Sequence, residues 1–218
     1  MTPKLVTTTP RQIWAHLLCE RCEQRFNNLG EKPVIALFND AKDNFPLLNL
    51  MNSSQPLKVE AKHSEYSGRA MGVDTEALAY YALSVLWKGS VHNWKTLLGQ
   101  KSTVDLGKYQ EPIRKYLNGE AGFPDGVYVL ATACTDRGSQ GMCFAPSLVA
   151  ETRYPMYSIL VRGIWFHIIT TDENPAGLSE LCCYRSKEKV LFKEDCIERF
   201  LQAGRHIHKT ATVSPRLR

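Results

Sequence analysis

YSILVRGIWFHIITT, residues 157–171, decides the fold, because it reads either as a membrane helix or as β-structure. A membrane span needs about 18 uninterrupted apolar residues. This run is broken by Arg162 and carries His167, so it falls short. Its Ile, Val, Tyr, Phe, Trp and Thr content is that of a strand region. VYVLATAC (127–134), GMCFAPSLVA (141–150) and LCCYRS (181–186) through KVLF (189–192) share that character, with Gly, Asp and Pro clusters between them. Together they predict an antiparallel β-meander.

Upstream of FPDG (123–126) the pattern is helical. Thr9 before Pro10 is a good helix start, an N-cap hydroxyl followed by a proline that has no N–H to leave unpaired. Ile13, Trp14, Leu17, Leu18, Cys22 and Phe26 then follow the helical period, with Gly30 as a natural end, so a helix is expected over 10–30. KPVIALF (32–38) suggests a second helix with Pro33 in its first turn. The polar residues 39–72 suggest mostly loop, with one extended piece at PLKVEAKH (56–63). VDTEALAYYALSVLWKGSVHNW (73–94) is the strongest helix, opened by Asp74 or Thr75, and its apolar residues on nearly every side make it central. LGKYQEPIRKYLNG (106–119) predicts a shorter amphipathic helix in which Tyr109, Ile113, Tyr116 and Leu117 share a face. KEDCIERFLQAG (193–204) closes the body with a short C-terminal helix. Helices first and strands later predict an α+β fold, one domain over 1–204, followed by a flexible basic tail over 205–218.

The 218 residues, 44% hydrophobic, suit a soluble globular chain without a membrane span, and the start MTPKLVTTTP has no apolar secretory stretch, so a cytoplasmic location is expected. The net charge of +5 arises wholly from Arg199 onward, where five basic residues occur with no acid. In the tail, Arg205, Lys209, Arg216 and Arg218 are candidate nucleic-acid contacts, and a solvated terminus is the plainer alternative. Seven cysteines, an odd number, read as thiols or metal ligands in a reducing compartment rather than as a disulfide framework.

HLLCERCEQRF (16–26) contains the one cysteine pair with ligand spacing, Cys19 and Cys22. Two cysteines at this spacing reach one zinc ion from a knuckle or a helix's first turn, where the positive helix end also favours thiolate. The alternative is packing, since Trp14, Leu18, Cys22 and Phe26 lie four apart and Cys22 suits a buried helix face. Other ligands are less well spaced. Cys134 and Cys143 would meet if TDRGSQGM (135–142) formed a hairpin; of Cys182 and Cys183 at most one faces a given side of a strand. His16 lies three residues before Cys19, and His206 and His208 stand in the basic tail. There is no phosphate-binding glycine loop and no Gly-x-Ser-x-Gly elbow. Glu23 and Glu31, eight apart, read as solvated helix-surface charges.

WAHLLCERCEQRFNNLGE (14–31) resembles the second half of a zinc knuckle in uncharacterised bacterial proteins related to the HNH, or treble-clef, endonucleases. ALSVLWKGSVHNW (82–94) and LGKYQEPIRKYLNGEAGFP (106–124) resemble segments downstream of the knuckle in that group, so the likeness spans residues 11–124. It implies that Cys19 and Cys22 are zinc ligands and that Glu23 supports them or lies on the helix surface. The chain departs from the group in having no cysteine before Cys19 and no upstream histidine-bearing segment to activate water. The expected function is therefore a zinc-binding protein without a complete catalytic site, its binding partner a nucleic acid. The alternatives are a metal-dependent HNH-like endonuclease completed by His16 or the tail histidines, and a non-enzymatic protein-interaction subunit using a sheet edge or the aromatic residues Trp87, Trp94 and Trp165.

Overall fold

In the computed structural model, which describes residues 16–40, 42, 44–94, 104–150, 152–175, 177–199 and 201, helix α1 (Glu20–Phe26) begins directly after Cys19. Residues 16–19 are not helical, and Thr9 and Pro10 lie outside the described residues. Gly30 does not end the helix as expected. The chain continues through one wide π-helical turn, Asn27–Glu31, into α2 (Lys32–Ile35). Pro33 explains the wide turn: it has no N–H to give the carbonyl four residues back, and its ring would crowd a regular turn there. Gly30 is buried, and a Cβ on it would meet the Tyr80 ring at 3.0 Å and the Tyr81 backbone at 3.3 Å. This glycine allows close helix crossing.

The polar stretch 39–72 holds more structure than its composition suggests: α3 (Pro46–Asn52), β1 (Lys58–Val59) and β2 (His63–Ser67). Leu47 and Met51, four apart, are fully buried on the inner face of α3. Helix α4 (Thr75–Val91) is capped by Asp74, whose carboxylate accepts the Ala77 N–H at 2.9 Å. Its Leu78, Ala79, Ala82, Leu83 and Leu86 are fully buried, so it is the central helix expected. A 3-10 turn, Gly107–Tyr109, leads into α5 (Gln110–Asn118), which buries Ile113 and Leu117 and ends at the left-handed Gly119.

The remaining elements are β3 (Val127–Cys134), α6 (Arg137–Gln140), β4 (Cys143–Leu148), β5 (Met156–Val161), β6 (Ile164–Thr170), α7 (Leu178–Leu181) and β7 (Val190–Glu194). The decisive stretch 157–171 is thus most of a tight hairpin. Val161 pairs with Ile164, and Arg162 and Gly163 make the two-residue turn with φ of 43° and 92°. Such turns need positive φ and match the strands' twist. The fold is α+β, with a seven-stranded sheet in the order β1-β2-β7-β3-β6-β5-β4. Strands β4, β5 and β6 form the expected meander, but β7 crosses to the far side of β3 and runs parallel to it, so the sheet is mixed. LCCYRS is not a strand. It lies at the end of α7 and beyond, where the Cys183 N–H pairs with the Val129 carbonyl at 2.9 Å, filling the place beside β3 below β7. Pro146 sits in edge strand β4, whose register shifts between Phe144 and Ser147.

One face of the sheet, through Val129, Ala131, Ile159, Phe166, Ile168 and Leu191, shares the main core with the helices. The other carries a smaller cluster of Cys134, Leu160, Trp165 and Cys196, flanked by Phe144. After β7 the chain enters a helical turn at 197–199. Among the described residues no helix is long and apolar enough to cross a membrane.

Candidate metal centres

Cys19 is the residue before α1, in extended conformation, and its carbonyl accepts the Glu23 N–H at 3.0 Å. One turn on, Cys22 brings its Sγ to 3.4 Å from that of Cys19. Cys19 is exposed and Cys22 half-buried. The Cys22 backbone N–H, then the Cys22 thiol, point at Cys19 and lower its pKa, while that same contact and burial raise the pKa of Cys22. The pair therefore gives up one proton readily and the second with difficulty, as two close thiols must. Zinc–thiolate bonds of about 2.3 Å in a tetrahedron set sulfurs about 3.8 Å apart, so a small rotation of one side chain opens the pair to a shared cation. The packing alternative for Cys22 is not realised: Phe26 is buried beneath Tyr80 and Trp87, and Cys22 sits at the open end of the helix.

The two thiols fit half of a zinc shell. His16 is exposed. Among the described residues, one set of three Cys, His, Asp or Glu side chains has ligand atoms all within 4.8 Å of one another, and it contains neither Cys19, Cys22 nor His16. Glu31 pairs with Lys88 at 2.9 Å, and Glu23 is exposed in the first turn of α1. Arg205, Lys209, Arg216, Arg218, His206 and His208 lie outside the described residues.

That set of three is Cys134, Asp136 and Cys196. The expected approach of Cys134 to Cys143 does not occur, because residues 137–140 form α6 and strands β6 and β5 stand between β3 and β4. Cys143 is exposed, while Cys134 and Cys196 are fully buried. The Cys196 thiol and burial hold the Cys134 thiol well above its ordinary range. Asp136 caps α6 by accepting the Ser139 N–H at 2.7 Å, and its second oxygen accepts the Cys196 N–H at 3.1 Å. No local spacing in the sequence announces this cluster; it exists because β7 returns parallel to β3, with Cys134 opposite Glu194. Cys182 and Cys183 are both buried, and burial holds Cys183 protonated.

A concavity of about 380 Å³ on the sheet's smaller-cluster side is lined by His63, Glu65, Thr132, His167, Glu194 and Arg199. Its charges are largely satisfied internally: Arg199 grips both oxygens of Glu194 at 2.7 Å, and His63 lies 3.6 Å from Glu65. Burial pushes His167 down to about 4, so it is neutral at ordinary pH. Among the described residues, Trp87, Trp94 and Trp165 do not form a shared aromatic surface. Trp165 is buried, Trp87 packs on the main core, and the Trp94 indole donates to the Lys88 carbonyl at 2.9 Å. Compared with known proteins, the chain matches no family model, no curated protein and no solved structure.

Proposed function

We propose that the protein binds a zinc-class cation at Cys19 and Cys22 and acts in binding rather than catalysis. The observation that carries this is the thiol pair, 3.4 Å apart and open to solvent at the start of α1, in a stretch that resembles a treble-clef knuckle. Zinc would supply a rigid tetrahedral tie between this helix start and whatever donates the remaining ligands; this chain's part is to present two thiolates, one of them already favoured as the anion by the Cys22 N–H. Nucleic acid is the proposed partner, contacted through Arg205, Lys209, Arg216 and Arg218, whose phosphate contacts would make binding fall steeply with salt. The test is the metal content of the purified chain beside Cys19→Ser/Cys22→Ser. The expected result is less zinc in the double variant than in the natural chain, by the share held at Cys19 and Cys22; equal metal in both would overturn the proposal.

A protein-interaction role is the second reading, favoured by the sheet's edges. Leu57 and Val59 at the β1 edge and Leu148 in β4 are exposed by 50%, 69% and 63%. Unpaired edges of this kind accept another strand. A mass that rises with concentration in light scattering, and falls back when Val59 is changed to Lys, would support it; a constant monomer mass would count against it.

A further inference from the structure

Where β3 ends, more donors converge than packing requires. Cys134 is the last residue of β3, Asp136 opens α6 two residues later, and Cys196 follows β7 by two residues. Their sulfur and oxygen ligand atoms lie within 4.8 Å of one another. The two backbone N–H groups on Asp136 fix its carboxylate and still leave a lone pair free on each oxygen. Beside them, the Ser139 hydroxyl is fully buried, and its polar contact is with the Cys134 thiol, short of regular hydrogen-bond geometry. Core packing accounts for two buried cysteines, and helix capping for one carboxylate oxygen. Neither accounts for a buried hydroxyl beside the same thiol without a well-made hydrogen bond, which is costly to bury.

We infer that Cys134, Cys196 and Asp136 form a second site, for a zinc-class divalent cation, with Ser139 Oγ as the neutral fourth donor. Two soft sulfurs with oxygen donors suit zinc, cadmium or cobalt and disfavour magnesium and calcium, which take oxygen shells. On binding, each thiol loses its proton to water and forms a sulfur–metal bond; two thiolates and one carboxylate around a dication leave one net negative charge. The half-exposed Asp136 provides the way in. Once bound, the cation ties β3, α6 and the chain beyond β7 together, so its binding energy becomes stability.

The test uses the full chain carrying Cys19→Ser/Cys22→Ser, reduced and stripped of metal, so that this site is measured apart from the helix-start pair. Cobalt(II) is expected to bind at one equivalent, with a thiolate charge-transfer band and tetrahedral d–d absorption that zinc displaces, and with release of about two protons per cation. Asp136→Asn, which keeps the side chain's shape, should weaken binding about 10- to 100-fold, and Ser139→Ala by less. Cys134→Ser/Cys196→Ser should abolish it. A folded parent that takes up no cobalt, or an Asp136→Asn variant that binds as tightly as the parent, would overturn the inference. Metal taken up by the natural chain and not by this parent would leave the Cys19–Cys22 proposal standing and remove this one.

Discussion

Replacing Gly163 with Ala tests the turn on which the β5–β6 hairpin depends. Gly163 has φ of 92°, where an L side chain is strained by about 1–2 kcal/mol. Its added Cβ would also stand 2.8 Å from Cε1 and 3.0 Å from Cζ of Phe45, a ring only 3% exposed and therefore held on all sides. Such overpacking costs about 1–3 kcal/mol, so the total is about 2–5 kcal/mol, a fall in Tm on the order of 10 °C for a chain of this size. Gly177 separates the two contributions: its φ is 84°, but a Cβ there meets nothing within 4 Å. Gly177→Ala should therefore show the backbone cost alone, about 1–2 kcal/mol. Urea unfolding of the two variants beside the parent gives both values. If Gly163→Ala loses no more stability than Gly177→Ala, the Phe45 contact is not tight, and the packing of α3's entry onto the hairpin turn has been misjudged.

Asp74→Ala removes the cap of α4 and should cost about 1 kcal/mol in the same assay. His167 is held neutral by burial, then by Arg199, with a pKa of about 4 against an ordinary 6.5. Because the unfolded chain takes up this proton first, the histidine's contribution is intact above pH 6.5 and is lost as pH falls towards 4, by up to about 3 kcal/mol; His167→Gln should flatten that part of the stability–pH curve. Near neutral pH, Cys19 should react with iodoacetamide before Cys22, since the Cys22 N–H favours its thiolate, while buried Cys134 and Cys183 should stay unmodified until unfolding; mass mapping reads the order.

Element type was legible wherever apolar periodicity or strand composition was strong. The central helix, its Asp74 cap, the amphipathic face of α5 and the strands from β3 to β6 arise from local pattern. Residues 39–72 were harder, because α3 and β2 each present only part of a face inward, and β1 is exposed along its length. Gly30 misleads for a related reason: a glycine can end a helix or let two helices touch, and only Tyr80 and Tyr81 on the other helix decide between them. The parallel return of β7 beside β3 is a matter of chain path, which no local spacing encodes. That return also creates the Cys134, Asp136 and Cys196 cluster, so the cluster was invisible for the same reason. By contrast, the three-residue spacing of Cys19 and Cys22 is local, and one helical turn is enough to bring the sulfurs together.

The most direct measurement of the proposed function is cysteine alkylation of the full, reduced chain, mapped by mass spectrometry, with and without zinc. Protection of Cys19 and Cys22 by zinc, reversed by a chelator, is the predicted result. Equal labelling of both cysteines in the presence and absence of zinc would contradict it, and would leave the start of α1 as an exposed dithiol with no role in holding a cation.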